Sequence, residues 1–417
     1  MIRTLLAVSS LLAAVAAQRT VVVDQANGPG TNHTTLVAAL NDLQANDRIV
    51  VRAGTYDGMA KSTQHSFSIH GEGYPTIVPP ASTPWIGYAM QFTFWGGAGQ
   101  RANLAGLRFE SNTTGQWALT VATFQNNWPA PTVHLEDCRV ESVSPQADRV
   151  GLLAQAIGLT VKSCELDTTQ VIDAVASFET TTIHGHDASV WNGFTQRAQT
   201  AIDLIRSEAW FIDCNVIAGS SLGANAEPAA CVGFSDSSVT RFSQVHACWN
   251  STFVADALPG PGWPVPNVFQ DYTSFWPTDP VVEYDPVVTF QPSPLGATFG
   301  AGVVPTAKTS ITHQATIDAP LGGSHSMFVR AAIGDIVMSW ASMASFATPV
   351  GSWELFLDPL SAVPIGVGVL TTSQVQLFAI AIPNNAALLG SVVETLPVSL
   401  SPAGVLDIGN PSAGMIR

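Results

Sequence analysis

Apolar and polar positions along this chain change their spacing after the first fifty residues. The run 21–23 is apolar and β-branched and predicts a short strand. Apolar residues then recur every three to four positions from 36 to 43, which predicts one short amphipathic helix. The segment Ile49-Val50-Val51 returns to strand character, and helical spacing does not reappear clearly after it.

A short sequence motif, in which apolar residues flank a bend of small or polar residues, recurs over residues 69–216. We call this motif the phrase. Its clearest copies are Leu135-Glu136-Asp137-Cys138-Arg139-Val140 and Val161-Lys162-Ser163-Cys164-Glu165-Leu166. With the cysteine position as marker, the copies fall at Glu72, Leu107, Cys138, Cys164, His186 and Cys214. A constant phrase at variable spacing indicates a fixed structural unit with inserted loops of different length.

Stacked units of this kind predict an all-β protein built on a right-handed parallel β-helix, with coils about 4.8 Å apart. The cysteine and the flanking apolar residues of each copy should point inward, and the short N-terminal helix should cap the open end of the stack. An all-β sandwich also predicts many short strands, but it does not explain one phrase returning with its cysteine in register.

The C-terminal third differs from the preceding residues in proline content and in the spacing of its predicted strands. Nine prolines and no copy of the phrase occur from Pro259 to Pro294, and proline cannot donate to a sheet ladder. Longer strands separated by Gly and Pro follow, as in antiparallel sandwiches. The predicted organisation is a signal peptide (1–17), a parallel β-helix (18–258), a Pro-rich linker or wrapping segment (259–296) and an antiparallel β-sandwich-like domain (297–417).

The N-terminus predicts export. Arg3 precedes an apolar stretch from 5 to 17, and Val15-Ala16-Ala17 fits a signal-peptidase site. This stretch is too short to span a membrane, so we expect a secreted, cell-surface or periplasmic protein with no membrane-spanning segment. Export permits disulfides, and Cys231–Cys248 is the pairing we expect among the five cysteines.

Charge restricts the partners. The net charge is −15, and the chain has three lysines, so it lacks the basic surface that a nucleic-acid partner requires. An acidic polysaccharide is also disfavoured unless Ca²⁺ bridges it to the protein. No other cofactor and no metal site are predicted.

The opening strand, Gly28-Pro29-Gly30, Gly54-Thr55-Tyr56 and Ile69-His70-Gly71-Glu72-Gly73 resemble the start of pectin-lyase-like β-helix proteins. The resemblance covers roughly residues 20–250 and implies the right-handed β-helix of pectin methylesterases, pectate lyases, polygalacturonases and exported bacterial proteins of unknown role. The catalytic signatures of those enzymes are absent. The nearest string to the Trp-Ile-Asp-His of pectate lyases is Trp210-Phe211-Ile212-Asp213-Cys214, which is itself a copy of the repeated phrase.

Two carboxylates are the best candidates for catalysis. Asp173 and Asp203 occupy similar local strings and would lie in successive coils. Stacked carboxylates raise one pKa or share a cation, and glycoside hydrolysis uses two carboxyl groups that flank the scissile bond. The alternative is that both accept backbone hydrogen bonds at coil corners.

Tryptophans in the inserted segments are the candidate ligand-binding residues, with Trp128 and Trp191 foremost. Exposed aromatic faces stack on sugar rings, although these side chains would serve equally to pack loops against the stack. The function predicted is a non-catalytic exported scaffold that binds glycan or another envelope component. The competing prediction is a polysaccharide lyase or glycoside hydrolase that uses Asp173 and Asp203.

Overall fold

The computed structural model describes residues 18–80, 88–95, 99–111, 117–123, 130–143, 150–187, 189–191, 194–196, 198–221, 229–235, 243–256, 265–272, 279–309, 311–315, 319–343, 345–350, 353–357 and 361–417. Side chains are described over these ranges except at 189–191, 194–196 and 345–357. The predicted signal peptide and Trp128 lie outside them.

Over the described ranges the chain winds through three parallel sheets, and each coil adds a strand to sheet A, then B, then C. Sheet A contains β1 (Thr20–Val23), β2 (Asp47–Arg52), β5 (Phe67–Glu72), β8 (Arg101–Ala105), β11 (Thr132–Glu136), β14 (Gly158–Lys162), β17 (Val175–Glu179), β22 (Glu208–Ile212), β25 (Gln244–Cys248), β28 (Val281–Tyr284) and β30 (Val304–Ala307). Sheet B contains β3 (Thr55–Asp57), β6 (Thr76–Val78), β9 (Arg108–Glu110), β12 (Arg139–Glu141), β15 (Glu165–Asp167), β18 (Thr182–His184), β23 (Asn215–Ile217), β26 (Thr252–Val254) and β29 (Thr289–Gln291). Sheet C contains β4 (Ala60–Thr63), β7 (Tyr88–Phe94), β10 (Trp117–Thr123), β13 (Val150–Gln155), β16 (Thr169–Ile172), β21 (Ile202–Ile205), β24 (Val232–Phe234) and β27 (Phe269–Asp271).

This topology confirms the predicted parallel β-helix. Leu135 pairs in register with Val161, and Val140 pairs with Leu166. These residues, together with both cysteines of the two phrases, are at most 2% exposed and belong to one continuous core. The inward orientation predicted from the repeated phrase is therefore confirmed.

A short helix, α1 (Leu36–Asn41), lies between the first two strands of sheet A. The Thr35 hydroxyl accepts a hydrogen bond from the Ala38 N–H and caps the helix N-terminus. Leu36, Ala39 and Leu40 are buried in the core that the coils share. The apolar face of this helix is thus buried against the β-helix.

The bend between sheets A and B ends with the same two-residue conformation in five successive coils. Its first residue has a positive φ, as at Asp137 (55°), Ser163 (52°) and Asp213 (55°). The second residue points inward; in successive coils it is Cys138, Cys164, Thr181, Cys214 and Ser251. The residue of this bend in the coil between Cys164 and Cys214 is therefore Thr181, because Thr182–His184 pairs with Asn215–Ile217; the assignment to His186 was wrong.

Side chains at this inner position satisfy buried backbone groups of the neighbouring coil. The Cys138 N–H donates to Cys164 Sγ at 3.4 Å, and the Cys164 N–H donates to the Thr181 hydroxyl at 3.4 Å. Two coils further on, the Cys214 N–H donates to the Ser251 hydroxyl at 3.2 Å. A thiol and a hydroxyl play the same part here, which explains why cysteine marks the phrase without forming a disulfide. All five cysteines are free and buried, so the predicted Cys231–Cys248 disulfide was wrong.

The stack continues through the segment predicted to be a linker. Strands β27, β28, β29 and β30 all pair in parallel with earlier coils. None of these strands except the last contains a proline, so the nine prolines of 259–294 lie in the connections. Phe269, Phe290 and Phe299 form a packed aromatic cluster with centroids 5.5–5.7 Å apart. The predicted boundary at 258 therefore cuts through the observed stack.

The C-terminal part forms antiparallel sheets. Sheet D contains β31 (Thr312–Ala315), β32 (Ser324–Arg330) and β37 (Val375–Ala381). Sheet E contains β33 (Ile336–Ser342), β36 (Val363–Val369), β38 (Val392–Leu400), β39 (Leu406–Ile408) and β40 (Ser412–Met415). A hairpin joins β34 (Ser345–Val350) to β35 (Trp353–Leu357), and a 3₁₀ turn spans Ala386–Leu388.

This C-terminal unit packs on the outer face of sheet A through buried polar groups. Lys162 Nζ donates to the Ala413 carbonyl at 3.1 Å, and the Met415 N–H donates to Glu136 at 2.9 Å. The side chains of Lys162 and Glu136 are at most 2% exposed. Burying such groups costs free energy unless they are paired. The partners that the C-terminal sheets supply therefore explain why polar residues are buried on the outer face of sheet A.

A histidine between two carboxylates lies further along this face. His246 Nε2 is 2.9 Å from Glu208, and its Nδ1 is 3.1 Å from Glu283. Burial acts to lower the pKa of His246, but hydrogen bonds to the two glutamates raise it to about 9. Lys308 bridges Glu283 to Asp407 of the C-terminal unit at 3.4 and 3.0 Å. This cluster therefore links the two parts of the chain by charge.

The inner position of the bend predicts a specific stability difference. Ser251→Ala removes the acceptor of the buried Cys214 N–H and should lower the free energy of unfolding by about 1–3 kcal/mol. Ser251→Cys supplies the thiol that Cys164 uses as an acceptor three coils earlier, so this variant should lose clearly less. Urea unfolding of the two variants checks this, and equal losses would refute the role assigned to the hydroxyl.

The His246 cluster predicts a pH dependence. Because the folded-state pKa of His246 is raised to about 9 from 6.5, its contribution is complete below pH 6.5 and is lost as the pH rises through 9. The change should be roughly 3 kcal/mol. His246→Gln should flatten the stability curve over this window, whereas His184→Gln, at an exposed histidine, should not. A wild-type curve with no fall above pH 7 would contradict the assignment.

Candidate functional site

Variation in coil length is confined to the two ends of sheet C. Connections from sheet A to sheet B have 2 to 4 residues throughout. Connections from sheet B to sheet C range from the single residue Thr168 to the 17 residues of 185–201, and those leaving sheet C range from 2 to 9 residues. The outer face of sheet C is therefore flanked on both sides by the inserted segments. Binding residues commonly lie on such loops around a rigid scaffold.

The three outer faces differ in chemistry. Sheet A is covered by the C-terminal sheets over the region described above. Sheet B carries ion pairs along its outer face, with Arg108 2.6 Å from Glu141 and Arg139 3.1 Å from Glu165. The central outer column of sheet C is mostly neutral; in register order it contains Gln91, Thr120, Leu153, Gln170, Asp203, Gly233 and Gln270. This column thus presents hydrogen-bonding groups without a cation.

Asp203 is the single carboxylate of this column. Its neighbours in β21, Ile202 and Leu204, point into the core, so the alternation of the strand directs Asp203 outward. One carboxylate oxygen accepts from the Ser235 hydroxyl at 2.7 Å, and the other accepts from Gln170 Nε2 at 3.2 Å. The carboxylate is held in place by two neighbouring coils.

An exposed aromatic ring lies beside it. Gly233 is the register partner of Asp203 in the next coil, and a Cβ at Gly233 would lie 2.7 Å from the Tyr272 ring. Tyr272 is 47% exposed, and its N–H donates to the Phe234 carbonyl at 2.9 Å. The absence of a side chain at Gly233 therefore lets the ring rest against the sheet, one coil from the carboxylate.

The structure does not bring Asp173 and Asp203 together. The register pairs Gln170 with Asp203, so the aspartates are three residues out of step, which corresponds to about 10 Å along the strands. Asp173 lies at a bend with φ 49° and forms a two-point ion pair with Arg206 at 2.7 Å. The similar positions predicted for the two aspartates were wrong, and Asp173 acts as a corner residue.

Neither candidate tryptophan can be placed by its side chain. Trp128 lies outside the described residues, and only the backbone of Trp191 is described. That backbone pairs with Phe194 in a hairpin of β19 (Ser189–Trp191) and β20 (Phe194–Gln196). Trp95, which directly follows β7, is 49% exposed. The prediction that Trp128 and Trp191 bind a ligand remains a prediction.

A pocket of about 610 Å³ lies at the N-terminal end of sheet C. Its lining includes Tyr56, Asp57, Met59 and Tyr88, and burial raises the pKa of Tyr88.

The described residues contain no group of three or more His, Cys, Asp or Glu side chains placed to hold a metal ion. Within the same residues, no helix has the length and apolar character needed to cross a bilayer.

Comparison with known proteins adds little to these observations. No protein-family model matches the chain, and no curated protein matches it. Among solved structures it is similar to a pectin methylesterase in complex with a hexasaccharide, with 11% identity and a TM-score of 0.35 over 66% of this chain and 82% of the other. Similarity at this level bears on neither ligand nor catalysis.

Proposed function

We propose that this protein is an exported β-helix scaffold that binds a neutral or weakly acidic glycan along the outer face of sheet C. The observation that carries the proposal is the exposed Tyr272 ring, which rests on Gly233 one coil from Asp203. An aromatic face beside hydrogen-bonding groups is the arrangement that suits a sugar ring, which has apolar C–H faces and hydroxyl edges.

Each element has a defined role in this proposal. The Tyr272 ring stacks on a sugar face, and Asp203 accepts hydrogen bonds from sugar hydroxyls, because an ionised carboxylate accepts and does not donate. Ser235 and Gln170 hold that carboxylate in position. Loops at both ends of sheet C would add further contacts, and the inserted segments that carry Trp128 and Trp191 in the sequence are candidates for this role.

Charge favours a neutral ligand. The net charge of −15 repels polyanions, and the central outer column of sheet C contains no Lys or Arg to offset it. The same column also argues against hydrolysis, since both glycosidase mechanisms use two carboxyl groups that flank the scissile bond. Asp203 is alone in its column, and Asp173 is held by Arg206.

Calorimetric titration with neutral plant, algal and bacterial polysaccharides tests the proposal. Tyr272→Ala should weaken binding at least tenfold, since loss of stacking on the order of 1.4 kcal/mol changes affinity by that factor. Gly233→Val should weaken it similarly by displacing the ring. Tyr74→Ala removes a tyrosine of matched exposure, 50%, at a bend between sheets A and B, and should leave binding unchanged.

Two results would contradict this function. Release of reducing ends or unsaturated products that Asp203→Asn abolishes would establish an enzyme. Glycan binding that is equally weakened by Tyr74→Ala and Tyr272→Ala, or insensitive to both, would place the ligand away from sheet C.

A further inference from the structure

The C-terminal sheet E exposes two rows of apolar side chains in register across four strands. The first row is Leu406, Leu400, Ile336 and Val369, and the second is Ile408, Val398, Met338 and Val367. The four side chains of the first row are 40–56% exposed. We call these eight residues the apolar face.

This face is not part of the domain's own core. Val337, which lies between Ile336 and Met338 in β33, points to the other side of the sheet and is fully buried. The apolar face is therefore the solvent side of a sheet whose inner side is already packed. Solvent-facing strand positions are ordinarily polar, and contiguous exposed apolar patches mark interaction sites.

The face continues a surface that is buried elsewhere in the molecule. Val392, on the same side of β38 as Val398 and Leu400, packs against Ala105 of the β-helix. One end of this side of sheet E is thus buried against the β-helix. The apolar face is the part of the same side that the β-helix does not cover. Continuity with a packed interface indicates a second protein surface as the occupant.

Charge distinguishes a protein partner from a lipid surface. Residues 359–406 contain a single charged residue, Glu394, which is 3% exposed. Surfaces that bind bilayers usually add Lys or Arg for the anionic headgroups, and this stretch has neither. Two copies of a chain with a net charge of −15 repel each other over most of their surfaces. The uncharged face is where they approach with least repulsion.

We propose that two copies of this chain pack their apolar faces together about a two-fold axis. Flat sheet faces pack about 10 Å apart, and a two-fold contact needs only that one patch complements itself. Half-exposed aliphatic side chains of this number leave on the order of 500 Å² of apolar surface on each copy, within the range of functional patches. This approaches the area of about 800 Å² per partner in a standard interface.

Sedimentation velocity of the purified protein from 1 to about 100 μM, a range that covers the affinities of modest interfaces, tests the proposal. We expect a concentration-dependent dimer, and Ile336→Lys at the centre of the first row should raise its dissociation constant at least 100-fold. Leu400→Lys, at a second exposed position, should act in the same direction. Leu295→Lys replaces an apolar residue that is 75% exposed, outside sheet E, and should leave the dimer unchanged.

Three results would overturn the proposal. The first is a monomer at every concentration, and the second is a dimer that Ile336→Lys and Leu400→Lys leave intact while their unfolding curves match the wild type. The third is a monomer that floats with phosphatidylcholine vesicles and loses this binding on Ile336→Lys, which would assign the face to lipid.

Discussion

The bend between sheets A and B is the constraint on which the rest of this molecule depends. Each coil must pass from sheet A to sheet B within a few residues while its backbone stays buried. A residue with positive φ makes the turn, as at Ser163 and Thr180, and the next side chain points inward to accept an N–H from the neighbouring coil. An unpaired buried amide would cost about 1–3 kcal/mol at every coil. The short, nearly constant length of this bend keeps the coils in register and leaves most length variation to the ends of sheet C.

Because the long insertions occur at the ends of sheet C, the outer faces of the three sheets have different roles. Sheet A is covered by the C-terminal sheets, which satisfy buried groups such as Lys162 and Glu136. The outer side chains of sheet B pair with one another, as Arg108 does with Glu141. The central outer column of sheet C remains mostly neutral, with Asp203 as its single carboxylate, and the variable loops flank it. The site proposed at Tyr272 and Asp203 thus follows from which faces the scaffold already uses.

The sequence was sufficient to predict the stack, because the phrase around Cys138 recurs around Cys164. In the structure both cysteines point inward and follow a residue with positive φ. The sequence did not reveal the coil that follows Cys164, because its inner residue is Thr181 and not a cysteine. The Thr181 hydroxyl accepts a backbone N–H as a thiol does, but it breaks the repeated phrase. The prolines of 259–294 concealed strands that lie between them, and Tyr272 lies in that stretch. The strings around Asp173 and Asp203 look alike, yet the core residue Val171 pairs with Leu204 and shifts them apart. Register depends on which residues enter the core, and a local string does not determine it.

Hydrogen exchange at the amides of Cys138, Cys164 and Cys214 tests the central claim most directly. Each amide is buried and donates to a side chain of the next coil, so each should exchange only through global unfolding. Its opening free energy should therefore equal the free energy of unfolding measured in urea. Exchange at these three amides by local opening, far faster than at the neighbouring strands of sheet A, would show that the bends do not hold the stack together.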